Sequence, residues 1–332
     1  MNLALHAAVT HLPGRAPLAE LPETDTQTGP ERTACRALGI ERVAVAPELS
    51  AVDLAGLAGR RALAEAGLDA DRLDGLILVE HRAPDTLSTS EATRLQHILG
   101  ADRAQAFSVG GLGCASLVPA LLSAAGLLAA GPDTARVLVL HGSKPVTSRR
   151  YRHPVTVNGD SGQAVLVSRD GPLRVRDILL ETSGEYWELF RVDYRDRPVD
   201  QWREECTDPA AHSFRLAVES RKRISSLTAR LLERNGVRSR EISCWIGQNL
   251  SAAALQVLGE ALEVELSDAC ADNLRENGHL GPNDALFNLR TATERGQLPD
   301  GGLAVVLTMS PAAAWSAMLV EHGTGSAGTH LL

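Results

Sequence analysis

Long runs of consecutive apolar residues, rather than strict alternation, mark the strands of this chain. They are Gly75-Leu-Ile-Leu-Val-Glu80, Arg136-Val-Leu-Val-Leu-His141, Ala164-Val-Leu-Val-Ser168, Ile242–Ile246 and Leu303-Ala-Val-Val-Leu-Thr308. Runs of this kind belong to strands buried on both faces. Between them, apolar residues recur at helical spacing. Ser50 is placed to cap a helix over Ala51–Ala66, with leucines at 54, 57 and 63, and Gly100 ends another over Ala92–Leu99. Further helices are predicted over Ala115–Ala130, Phe214–Asn235, Ala252–Leu262 and Ala312–Val320. Strands alternating with helices predict an α/β protein with a mostly parallel sheet covered on both sides. Strand, tight turn and small-residue helix recur near 106–130, 242–262 and 303–320, which suggests two related halves meeting at a shared centre. The division expected is an N-terminal half over 1–170 and a C-terminal half over 171–322. Segment 180–212, with tryptophans and tyrosines in polar surroundings, reads as an insertion or lid, and 323–332 as a loose tail.

Composition narrows the class. The 332 residues are 44% hydrophobic, enough for a sizeable core and for about two domains or one large two-lobed fold. A net charge of −8 argues against a general nucleic-acid binder. Lys144 and Lys222 are the only lysines, so the positive charge is nearly all arginine, the mark of a GC-rich coding sequence. Five widely spaced cysteines (35, 114, 206, 244, 270) include no C-x-x-C pair, which speaks against a disulfide scaffold and against a zinc site. No signal peptide is expected, no apolar run is expected to reach transmembrane length, and a cytoplasmic protein is expected.

The candidate chemistry starts at Cys114. It lies in Ala106-Phe-Ser-Val-Gly-Gly-Leu-Gly-Cys114-Ala-Ser-Leu, where a strand enters a glycine turn and then a long apolar helix. A thiol there faces unsatisfied helix N–H groups and the positive end of the dipole, and both favour thiolate. The competing reading is a small buried cysteine packed under a sheet.

Taken in order and spacing, these residues resemble the thiolase superfamily, specifically its β-ketoacyl-ACP synthase III branch, over about residues 35–322. The markers are Leu38-Gly-Ile-x-Arg42, the Cys114 elbow, Gly159-Asp-Ser-Gly-Gln-Ala164, Phe214-x-x-Ala-Val218, Asn277-Gly278, and the terminal Ala-Trp315-x-Ala-Met. The resemblance implies a thiolase fold of two similar βαβαβαββ-type halves in a layered α-β-α-β-α sandwich. It also implies a homodimer with no tightly bound cofactor, fed by the phosphopantetheine of an acyl carrier protein or by acyl-CoA. The family's catalytic cysteine matches Cys114. Its histidine position reads Ile246-Gly-Gln248-Asn-Leu-Ser251, and its asparagine position reads Gly278-His279-Leu-Gly-Pro-Asn-Asp284. Gly159 and Asp160 resemble a family turn that supports the sheet.

These departures carry the functional reading. Decarboxylative condensation needs two donors aimed at a developing enolate, and losing one costs ~10²–10³ in rate. Gln248 is a weaker donor than a tuned imidazole. His279, by contrast, has a side chain suited to act as a base, and Asp284 could orient it, as in Cys-His-Asp transferases. Asp284 also reads as a helix N-cap. The oxyanion hole is expected from the Cys114 amide and from Ser310 in the turn Met309-Ser310, because Pro311 has no N–H. Arg152 aligns with a family arginine that packs on coenzyme A, or is simply a surface arginine. Arg221, Lys222 and Arg223 either meet a carrier protein's acidic face or form a solvated face. Glu80 and His81 stand at a strand's C-terminal end but find no family match, and stay outside the expected site.

The leading expectation is an acyltransferase of the EC 2.3.1 type, acting without decarboxylative condensation. It would move an acyl group through Cys114 to an acceptor thiol, hydroxyl or amine in polyketide or other specialised metabolism. The alternative is a decarboxylative β-ketoacyl-ACP synthase III, and behind it an inactive partner subunit of a heterodimer.

Overall fold

The computed structural model describes residues 2–147, 149–202 and 204–323; of the expected tail, 324–332 lie outside them. Nine strands form the main sheet: β1 (Ala4–His11), β2 (Gly75–Val79), β3 (Gln105–Val109), β4 (Val137–Ser143), β5 (Ser161–Ser168), β6 (Leu173–Thr182), β7 (Ile242–Ile246), β8 (Leu303–Ser310) and β9 (Ala314–His322). The order is β7-β8-β9-β6-β1-β5-β4-β2-β3. Two blocks are evident: β1 to β5 come from one half of the chain and β6 to β9 from the other. They join through two residue pairs, Ala4↔Arg174 and Leu5↔Leu173.

The main helices are α1 (Ala51–Glu65), α2 (Glu91–Leu99), α3 (Leu117–Ala130), α4 (Ala217–Asn235), α5 (Ala252–Leu262), α6 (Asp268–Asn277) and α7 (Asp284–Glu294). Ser50 caps α1 and exchanges hydrogen bonds with Asp53 in a capping box. Gly100 ends α2 in the left-handed region. α1 and α2 cover one face of the first block, and α4 and α5 cover the outer face of the second. α3 and α7 fill the middle. Their Leu117, Leu121, Leu128, Leu286 and Leu289 share one apolar core with Val79, Val139 and Val165 of the first block and Ile246, Val306 and Met318 of the second. This is the layered α-β-α-β-α thiolase fold.

Three expectations change. The sheet is mixed, not mostly parallel: β2/β3, β2/β4 and β7/β8 are parallel, whereas β1/β5, β1/β6, β4/β5, β6/β9 and β8/β9 are antiparallel. A strand covered by helices on both faces is apolar throughout whatever its direction, so the run at 164–168 carries no sign of orientation. Residues 312–320 are not a helix. Ala313 turns at φ +53 and the chain returns as β9, paired with β8 and β6. Its Trp315, Ala317 and Leu319 pack on one face of the sheet and Met318 and Val320 on the other, which erases the period that separates strand from helix. The third supposed strand–turn–helix repeat is therefore a hairpin. Finally, Gly113–Ala130 is long and apolar enough to cross a membrane, contrary to the expectation that no apolar run reaches that length. Its apolar side chains are used inside the protein, as the central-layer helix α3.

Candidate active site

The nucleophile elbow follows β3. Gly110 is required by close approach, since a β-carbon there would lie 2.0 Å from the Glu80 carboxylate. Gly113, at φ +53, opens a single 3-10 turn over Gly113–Ala115. α3 begins only at Leu117, two residues later than expected, and the Ser116 hydroxyl accepts from the Leu112 N–H at 3.1 Å. Cys114 thus stands just ahead of the helix, 3% exposed.

His279 arrives from the other half. Gly278 ends α6 at φ +69, in a space where a β-carbon would sit 2.7 Å from the Val157 carbonyl. The His279 N–H donates to that carbonyl at 2.8 Å, and its own carbonyl accepts from the Gly159 N–H at 2.9 Å. The turn that carries Gly159 therefore clamps the histidine's backbone. Beside it, Asp160 takes a bidentate ion pair from Arg150 at 2.7 and 2.9 Å and accepts from the Ala46 N–H, a structural use.

The side chains form a line. His279 Nε2 lies 3.0 Å from Cys114 Sγ, and His279 Nδ1 lies 2.6 Å from Asp284 Oδ2. A carboxylate oxygen only accepts, so Nδ1 carries a proton and Nε2 faces the sulfur. Asp284 Oδ1 accepts from the Leu280 N–H at 2.7 Å and Oδ2 from the Asn249 N–H at 3.0 Å. Asp284 is the first residue of α7, whose N-cap is Asn283, and its carboxylate is spent on the histidine and the two loops beside it rather than on the helix end.

Charge sets the acidities. Burial pushes the Cys114 thiol up, but His279, with Arg152 and Arg82 behind it, outweighs burial and holds the thiol at about 7. Burial also opposes a charged His279, and Cys114 and Asp284 override it to raise the imidazole to about 9. The two groups titrate as a pair, with thiolate and imidazolium together between those values. In the other buried cysteines burial wins: it raises Cys35, and pushes Cys244 up to about 11 and Cys270 to about 12.

Gln248 is close but turned to the backbone. Its Nε2 donates to the Cys114 carbonyl at 3.3 Å and its Oε1 accepts from the Met309 N–H at 2.7 Å, tying the elbow to β8. Ser310 packs against the elbow as well: its Oγ lies 2.7 Å from where a β-carbon on Gly113 would be, and accepts from the Ala312 N–H at 3.2 Å. Arg152 is no surface arginine. It is 5% exposed, lies beside the Cys114 thiol and pairs with Glu204 at 2.6 Å. Arg223 is held by Glu219 and Glu181, while Arg221 and Lys222 face solvent.

Sequence reasoning missed Arg82 and Glu204. Arg82 Nη1 lies 3.5 Å from Glu204 Oε2, so one carboxylate from segment 180–212 reaches both arginines behind the thiol. The available signal was position, since Arg82 follows Glu80 and His81 just past the C-terminal end of β2. A cavity of ≈ 290 Å³ opens beside this cluster, lined by Arg149, Tyr151, Arg152, Asn158 and Glu204 among others. Close to Arg82, the rings of His141 and His81 lie 5.6 Å apart between centroids, tilted at 46°, and burial pushes His141 down to about 3.

No family model matches the chain. It is 28% identical over 284 residues to the β-ketoacyl-[acyl-carrier-protein] synthase III of Oleidesulfovibrio alaskensis, covering 81% of this chain and 83% of that protein. It is 28% identical over 342 residues to the Roseobacter denitrificans protein of the same name, covering 96% and 100%. Among solved structures, ChlB3, described as an acyltransferase, superposes with a TM-score of 0.82 at 21% identity over 98% of both chains. The chain thus has the thiolase fold and is similar over most of its length to β-ketoacyl-ACP synthase III proteins.

Proposed function

We propose that the protein is an acyltransferase that moves an acyl group from a carrier-protein or coenzyme-A thioester through Cys114 to an acceptor thiol, hydroxyl or amine, without decarboxylative condensation. The observation that carries this is the line from Cys114 Sγ to His279 Nε2 at 3.0 Å and from His279 Nδ1 to Asp284 at 2.6 Å. The Cys114 thiolate attacks the donor's carbonyl carbon, the carbon–sulfur bond of the donor breaks, and the released thiolate takes the proton of the His279 imidazolium. The imidazole, now neutral, takes the acceptor's proton as the acceptor attacks the acyl-enzyme. It returns to imidazolium as the Cys114 thiolate leaves. Asp284 holds the ring's tautomer and stabilises its cation. The Cys114 N–H and the Ser310 turn face the developing oxyanion, and the cavity beside Arg152 takes the thioester arm. Gln248, committed to two backbone groups, is poorly placed to serve as the second enolate donor that condensation needs.

We further place the protein in the cytoplasm, as a homodimer of two 1–322 units whose segment 180–212 closes over the site, serving polyketide or other specialised-metabolite biosynthesis. Decarboxylative condensation is the reading favoured by the names of the curated relatives. The test is malonyl-ACP labelled in its free carboxyl, offered together with an acyl thioester. Acyl transfer without labelled carbon dioxide is expected. Release of labelled carbon dioxide coupled to a β-ketoacyl product at a comparable rate would replace acyl transfer with condensation.

A further inference from the structure

We infer that the acyl group carried on Cys114 bears a hydroxyl, read by His141, Arg82 and Ser143 around Gly281; this rests on the acyl-transfer reading above. β4 delivers His141 and Ser143 two residues apart, hence on one face of the strand. Arg82 follows β2, and Gly281 follows His279 by two residues. A β-carbon built on Gly281 would have three nearest neighbours, all polar: Ser143 Oγ at 3.4 Å, Arg82 Nη2 at 3.7 Å and His141 Nε2 at 3.7 Å. The turn Gly281–Asn283 packs directly on the Cys114 turn, so this polar recess adjoins the acyl-enzyme.

The hydrogen-bonding character of the three groups is fixed by their other contacts. His141 Nδ1 lies 2.9 Å from the Val79 carbonyl and must donate to it, which leaves Nε2 of the neutral ring as a bare acceptor. Ser143 Oγ gives its proton to the Gly159 carbonyl at 3.3 Å and keeps its lone pairs. Arg82 offers only donors. Buried polar atoms are ordinarily satisfied, yet His141 Nε2 and Arg82 Nη2 have no hydrogen-bond partner, Arg82 Nη1 being ion-paired with Glu204, and His141 is 3% exposed. A carboxylate in the recess would set its lone pairs against two acceptors. An ammonium would face the guanidinium, and a ketone or a hydrocarbon would leave the acceptors unmet. A hydroxyl meets both groups that have no partner, donating its proton to His141 Nε2 and accepting from Arg82 Nη2, with Ser143 Oγ alongside.

The probes are pantetheine thioesters in matched pairs: 2-hydroxybutyryl and 3-hydroxybutyryl against butyryl, and salicyloyl against benzoyl. The readout is the rate of mass gain on Cys114. At least one hydroxylated member is expected to acylate ~30-fold or more faster than its partner, because a site built to bond a hydroxyl rejects the analogue lacking it. The pair that responds tells an aliphatic from an aromatic acyl group. His141→Leu should bring that ratio to within ~3-fold. If His141→Leu does not fold, Ser143→Ala should still lower it. Ratios near unity in every pair, with Cys114 acylated, would mean that the recess holds only water and overturn the inference while leaving acyl transfer standing. A preference unchanged in the variant would also overturn it. No acylation by any thioester would defeat both readings.

Discussion

Cys114 and Cys270 are buried alike, 3% and 0% exposed, the first in the turn after β3 and the second in the first turn of α6, against the residue that follows β7. Their chemistry diverges. Cys270 sits on α6 with its thiol directed at the Gly247 carbonyl, 3.8 Å away, and burial pushes it up to about 12. Cys114 is held at about 7 by His279, Arg152 and Arg82. The same desolvation acts on both, so burial does not make the nucleophile; three cationic groups aimed at one sulfur do. Those groups come from the β2 end, from the strand pair around 151–157 and from the loop after α6, so the fold assembles the field.

The comparison breaks at its strongest point if Cys114 is removed. Cys114→Ala should abolish the covalent acyl adduct seen by intact mass, and an adduct persisting on another thiol would end the distinction between the two cysteines. Next in size is His279→Ala, which should slow transfer to the acceptor by ~10²-fold or more. His279→Asn, a donor without a basic nitrogen, should not rescue it. Near wild-type transfer by His279→Asn would show an oxyanion donor in place of a base. Asp284→Asn should cost less. It removes the charge that helps raise His279, and about one unit of imidazole acidity corresponds to roughly tenfold in the protonated population. The loss should shrink further where the acceptor is a thiol already ionised at the assay pH. Smallest is Arg152→Gln, which should move the Cys114 alkylation inflection upward by less than about one unit, since Arg152 ranks after His279 among the cations that lower the thiol. A larger shift than in His279→Ala would reverse the order of the two cations.

The sequence made the strands at 75–80, 136–141, 242–246 and 303–308 legible, along with α1, α2 and α5, because apolar runs and capping residues are local signals. Cys114 and His279, which the structure brings to 3.0 Å of each other, were singled out through motif position. Three things were not. The terminal Ala-Trp-Ser-Ala-Met stretch is apolar on both faces, so nothing in its spacing separates a hairpin strand from a buried helix. β1 and β6 were not among the predicted strands, and their role, joining the two blocks of the sheet, lies in pairing between residues ~170 apart in sequence. Arg82 and Glu204 meet across the fold from a strand end and from segment 180–212, and no spacing in the chain links them. Gln248 was found by position, but only the structure shows its amide tied to Cys114 and Met309 rather than facing the thiol's substrate.

The most direct measurement is the pH dependence of iodoacetamide alkylation, resolved to Cys114 and Cys270 by peptide mapping of the folded protein. A thiol reacts as its thiolate, so its rate rises through its pKa as pH increases. The account expects Cys114 to rise through an inflection at about 7 and to outpace Cys270 throughout, with that inflection lost upward in His279→Ala. A Cys114 inflection at or above 9, or one that His279→Ala leaves in place, would contradict it.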